Sequence, residues 1–94
     1  MKLLSIAELK ALLKNKTYRK YDGWYSTSTC LEIKNIRHSI SHKGWYDIIA
    51  TTSSGEKKIV TVSDFAIHQL AKFGEHETVY EVEECVIRDK FQII

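Results

Sequence analysis

With 94 residues, 44% of them hydrophobic and 28% charged, the chain has the composition of one folded domain with a single core and one site or binding face. That balance indicates neither disorder nor a coiled coil, and no apolar run approaches the roughly 20 residues a membrane helix needs. The net charge of +2 is unevenly divided: residues 1–45 hold nine Lys/Arg against three Asp/Glu, and residues 46–94 hold five against nine. Such polarity predicts either an anion-binding end or two halves that attract each other once folded.

The opening MKLLSIAELK turns polar too early for a secretory signal, and Cys30 and Cys85 both sit in apolar stretches. The expectation is a cytoplasmic protein with buried, reduced thiols and no disulfide.

In LSIAEL, Ser5 stands three residues before Glu8, the spacing of a capping box, with Leu4 and Leu9 placed as a hydrophobic staple. A helix over 5–15 is predicted, with Ile6, Leu9, Leu12 and Leu13 facing a core and Lys10 and Lys14 in water. From Thr17 to Val62 the composition changes to the Tyr, Trp, Thr, Ile and Val that suit pleated sheets. Strands are expected at 23–27, 29–40, 45–52 and 57–62, with turns at 41–44 and 53–56 that each supply a glycine. In KKIVTV, Lys58, Val60 and Val62 share one face, and Ile59 and Thr61 the other. Ser63 caps a second helix with Asp64 in its first turn, Lys72 near its end and Gly74 beyond it, and with Ala66, Ile67, Leu70 and Phe73 as its apolar stripe. A last strand over 78–88 carries Tyr80 and Val82 on one parity but Cys85 and Ile87 on the other, which predicts a bulge at Glu83-Glu84. Phe91, Ile93 and Ile94 predict a docked end.

These elements give an α+β fold for residues 1–94, in the order α-β-β-β-β-α-β. An antiparallel sheet of four to five strands would carry the N-terminal helix and the helix that precedes the last strand. Without the first strand, the order helix-strand-strand-strand-helix is similar to that of double-stranded RNA-binding domains. Those domains open their second helix with lysines, whereas Ser63-Asp64-Phe65-Ala66 holds no cation and a further strand follows, so the family is not assigned.

Four isolated glycines cannot form a phosphate-cradling loop, and neither a CxxC nor an HExxH spacing occurs, so no cofactor or metal is expected. His38 and His42 are four apart, but across a strand-to-turn junction where that spacing does not stack ligands. Cysteine-histidine pairs, a Ser-His-Asp set drawn from STST, or the Glu81, Glu83, Glu84 group could each be assembled on paper, and none has an ordered signature. No catalytic residue is assigned, and the chain is read as a non-enzyme.

Lys10, Lys14, Lys16, Arg19 and Lys20 follow one another without an acid and run into Tyr18, Tyr21, Trp24 and Tyr25. Cations interleaved with aromatics suit nucleic acid, RNA or single-stranded DNA, since charges meet phosphates while rings stack on bases. A solvated helix back is the plainer reading of the lysines. YDGWYS (21–26) and HKGWYD (42–47) together use both tryptophans. Adjacent side chains of an extended chain point to opposite faces, so Trp45 and Tyr46 cannot share a core. Tyr46 has Ile48 and Ala50 on its parity, which leaves Trp45 as the outward ring and, by the same reasoning, Trp24.

Three readings follow. The first is an inhibitor or accessory protein of the bacterial or phage kind, which occludes a protein partner through Trp24, Tyr25, Trp45, Tyr21, Arg19, Lys20 and Lys16. The second is a nucleic-acid module using Lys10, Lys14, Lys16, Arg19, Lys20 and Trp24. The third is capture of a small anion or nucleotide with Arg37 or His38.

Overall fold

The computed structural model describes residues 3–22 and 27–94, and among these the side chains of all but residues 22, 27, 28, 78–82 and 85–89. Two helices and six strands follow in the order α1 (Ile6–Leu13), β1 (Thr17–Asp22), β2 (Thr27–His38), β3 (Tyr46–Thr51), β4 (Lys57–Val62), α2 (Asp64–Phe73), β5 (Glu75–Val82) and β6 (Cys85–Ile93). All pairings are antiparallel, and the strands lie in the order β4-β3-β2-β1-β6-β5. The fold is therefore α+β, with more strands than the expected four to five.

Two corrections account for the difference. The strand expected at 23–27 falls outside the described residues except for Thr27, which opens β2; the strand pairing there is Thr17–Asp22, inside the basic run. The expected bulge at Glu83-Glu84 is instead a two-residue turn, with φ +48° and +67°, that folds the end of the chain into the β5–β6 hairpin. Both central residues take the positive φ a type I′ turn requires. Because the turn pairs Val82 with Cys85 and Tyr80 with Ile87, it absorbs the change of parity that had called for a bulge. A register shift does occur, in β2 between Ile33 and Asn35.

Both helices begin where side-chain chemistry dictates. The Glu8 backbone N–H donates to Ser5 Oγ (3.2 Å) and the Ser5 N–H to Glu8 Oε1 (3.0 Å), closing the capping box. Ser63 Oγ accepts from the Ala66 N–H (3.1 Å), and Gly74 ends α2 at φ +75°. Lys14 leaves the helical region and Asn15 takes φ +70°, so α1 stops at Leu13, two residues short of the expected end.

Leu9 and Leu13 of α1, and Ala66, Ile67 and Leu70 of α2, share one core cluster with Tyr18, Leu31, Ile33, Ile36, Ile48, Ala50, Val62 and Phe91 of the sheet. Each fully buried Leu or Ile contributes about 1.5–3 kcal/mol of transfer free energy. Both helices therefore lie on one face of the sheet. Leu12 and Phe73, expected in the core, are exposed: α1 buries only Leu9 and Leu13, one turn apart, and Phe73 lies beyond the Ala66-Ile67-Leu70 stripe. His68 takes the interior place instead. Its Nδ1 donates to the Asp64 carbonyl (2.7 Å), which leaves Nε2 to accept the Leu4 backbone N–H (2.8 Å) and tie the entry of α1 to α2. Among the described residues, no helix is long and apolar enough to cross a membrane.

Candidate functional site

Alternation along the strands divides the residues singled out in the sequence. Lys20 pairs with Thr29 and Phe91 and so lies on the helix-bearing face, whereas its neighbours Arg19 and Tyr21 take the opposite face. There Arg19 Nη1 donates to Tyr21 Oη (3.0 Å), and its guanidinium carbon lies 5.8 Å from the Tyr21 ring centroid. Hydrogen bonds to Tyr21 and then Cys30 raise the Arg19 pKa above its ordinary value. Cys30 itself is exposed on this face, opposite Arg19 in register, and not buried as expected; parity gives the interior to Leu31 and Ile33. Lys10 is half-buried on α1, while Lys14 and Lys16 are exposed at its end and in the following loop. The basic run is thus spread over a helix, a loop and both sheet faces. Trp24 and Tyr25 lie outside the described residues.

The second Gly-Trp-Tyr triplet behaves as alternation predicts. Tyr46 is buried, and Trp45 is 41% exposed. Burial, and then the neighbouring Asp64 carboxylate, push the Tyr46 phenol above its usual pKa. A short turn fixes Trp45: its N–H donates to the His42 carbonyl (3.0 Å), its own carbonyl accepts the Ser39 N–H (2.9 Å), and the His42 ring tilts against the indole at 5.3 Å. His38 packs its ring on Tyr46 at 5.0 Å, and Arg37 Nε donates to Asp47 Oδ2 (3.1 Å). Arg37 and His38 are therefore engaged with the sheet and belong to different cross-strand pairs.

Trp45 and Lys20 meet at a cleft of about 380 Å³, lined also by Ile59 through Ser63, Ala66 and Phe91. Five consecutive residues of an extended segment present both of its faces, so the cleft follows the free edge of β4, the end strand of the sheet. An adjoining hollow of about 230 Å³ shares Lys20, Ile59 and Val60 and adds Thr29, Leu31 and Lys58. Among the described residues, neither lining contains a carboxylate. Ile59 is 48% exposed, a large apolar side chain on the solvent face of an edge strand.

Asp47 holds this edge in place. Its carboxylate accepts from Thr61 Oγ1 of β4 (2.8 Å) and from Arg37 of β2 (3.1 Å), bridging three strands. Burial favours the protonated acid, but hydrogen bonds from Thr61, Arg37 and Ser39 outweigh it and hold the carboxyl below its ordinary pKa.

A second hollow, about 450 Å³, lies beside α2 and the start of β5, lined by Phe65, Gln69, Phe73, Glu75, His76, Glu77 and Lys90. Phe65 and Phe73 are 64% and 66% exposed. His76 stacks on Phe91 (5.7 Å) and meets the edge of Phe65 (6.3 Å), so one row of rings separates the two hollows. Burial lowers the His76 pKa, partly opposed by Glu77.

Sequence reasoning found Trp45 and Lys20 but missed Ile59, Lys58, Phe65 and Phe73. The signals were there: KKIVTV places Ile59 on the polar parity, and Phe65, Gln69 and Phe73 form a four-residue row beside the core stripe. Among the described residues no three His, Cys, Asp or Glu side chains converge as a metal set would. Comparison with protein-family models, curated proteins and solved structures found no match for the chain.

Proposed function

We propose that this protein is a binding protein whose work is to occupy the surface of a protein partner through the β4 cleft. The observation that carries the reading is the lining itself: an exposed indole, an exposed isoleucine and an apolar floor next to Lys20. Tryptophan beside apolar side chains and a rim cation is the composition of an interaction hot spot, since a rigid ring supplies contact area at little entropic cost. Among the described residues, Lys20 is the only ionisable side chain in the main lining, and the rest of that lining supplies contact area. Nucleic acid is the weaker reading, because the run from Lys10 to Lys20 does not form one stripe and the second half of the chain is acidic.

The test is capture from a lysate of the source cells by immobilised wild-type chain, Trp45→Ala and Lys20→Glu. Loss of the captured protein on both substitutions, with the circular dichroism spectrum unchanged, supports the reading. Equal capture by folded variants rejects the cleft, and retention of oligonucleotide that falls steeply with salt moves the function to nucleic acid.

A further inference from the structure

The β4 edge also carries the information needed to say what kind of segment it takes. In the β3–β4 hairpin the Thr52 N–H donates to the Glu56 carbonyl (2.9 Å), which fixes the phase of the ladder. Antiparallel pairs alternate between hydrogen-bonded and non-hydrogen-bonded, so Ala50/Lys58, Ile48/Val60 and Tyr46/Val62 bond each other. Lys57, Ile59 and Thr61 therefore turn their N–H and C=O groups away from β3, toward the free edge. The cleft lies along that edge, with Val60, Val62 and Phe91 on its helix-bearing side and Ile59 and Thr61 on the other.

Charge favours one class of occupant. β4 opens on Lys57 and Lys58, of which Lys58 pairs with the Glu56 carboxylate at 3.0 Å, so the start of this edge carries more positive than negative charge among the described residues. From Ile59 to Val62 the edge is uncharged. Native sheets guard exposed edges with inward charges, prolines or bulges, and this stretch has none of them.

We infer that the partner docks by strand addition: an extended, acid-bearing segment of the partner pairs its main chain with Lys57, Ile59 and Thr61. Alternate apolar side chains of the segment enter the cleft beside Val60, Val62 and Phe91, and its carboxylates meet the lysines. Main-chain bonds supply the pairing and the cleft supplies selection among sequences. The inference rests on the protein-binding reading above and narrows it to one mode.

The test uses a display library of random peptides selected on the full chain. Enriched sequences should alternate apolar residues, carry Asp or Glu, and lack proline in their centre. N-methylation of alternate amides in the best peptide should weaken it about tenfold or more, since each lost main-chain bond to a buried partner is worth on the order of 1 kcal/mol. Ile59→Pro removes an N–H that points away from β3 and so leaves the β3–β4 ladder intact, as proline on an edge strand does. It should reduce binding by about the same factor. Peptides of basic or helical pattern, or full tolerance of N-methylation, overturn strand addition; the methylated peptide decides the matter even where Ile59→Pro fails to fold. An Ile59-dependent dimer in light scattering that selects no peptide also overturns it, because the edge is then filled by a second copy. If Trp45→Ala abolishes capture from lysate while Ile59→Pro does not, the protein-binding reading survives and strand addition alone falls.

Discussion

The two edges of the sheet are built to opposite rules. β5 begins with Glu75, His76 and Glu77, continues through a segment that contains Glu81, and ends at the Glu83-Glu84 turn, so acids recur along its length. β4 confines its charge to Lys57 and Lys58 and leaves four uncharged residues bordering a cleft. An acidic edge resists pairing because another strand would have to bury or neutralise those carboxylates, whereas an uncharged edge beside a hollow invites it. The hairpins behind the edges differ as well. The β3–β4 turn gives its positive φ to Gly55 (+85°), while the β5–β6 turn forces two glutamates to positive φ. Local strain is thus kept away from β4.

The largest expected effect tests what the edges share. Ile48 is fully buried between Ile36 and Val60, and Ile48→Ala should cost about 2–5 kcal/mol in urea unfolding and weaken both edges together. If only β4 loosens, the sheet is not one cooperative unit. Next in size, Asp47→Asn should separate the edges, costing about 1–3 kcal/mol at neutral pH by loosening the Thr61 contact to β4 and the Arg37 contact to β2 while β5 is unaffected. The sign with pH follows from a carboxyl held below its ordinary value. The native acid binds its proton less readily than the unfolded one, so its stabilisation is complete above about pH 4 and fades as pH falls through the lower folded value. The gap between wild-type and Asp47→Asn should therefore narrow on acidification, as thermal melts between neutral and strongly acidic pH would record.

His68→Ala removes the acceptor of the Leu4 N–H and leaves that donor without its partner, for a loss of about 1–3 kcal/mol in melting experiments. Amide exchange should speed at the start of α1 and not along β4. The smallest effect belongs to the strained turn: Glu84→Gly relieves a residue at φ +67° and should raise stability by about 0.5–1 kcal/mol without altering binding at β4.

Local chemistry made much of the fold legible. Ser5 with Glu8, Ser63 with Gly74, and the glycines of the two turns announce their elements because a cap or a positive φ admits few residue types. Alternation likewise divided Trp45 from Tyr46 correctly. What escaped depended on partners distant in sequence. Thr17–Asp22 carries no strand of its own in the sequence reading because its pairing depends on β2 and β6 closing on either side of it, and Glu83-Glu84 gives no turn signal because glutamate is a poor choice for positive φ. The candidate site was half visible. Trp45 and Lys20 stood out by residue type, but β4 becomes an edge only through the order of all six strands, a fact no segment contains by itself.

Amide exchange measured by NMR, with and without a selected acidic peptide, tests the central claim most directly. Binding along β4 predicts slowed exchange at the Lys57, Ile59 and Thr61 amides with no change from Glu75 to Glu77. Protection at Glu75 to Glu77, or none at either edge, would contradict it.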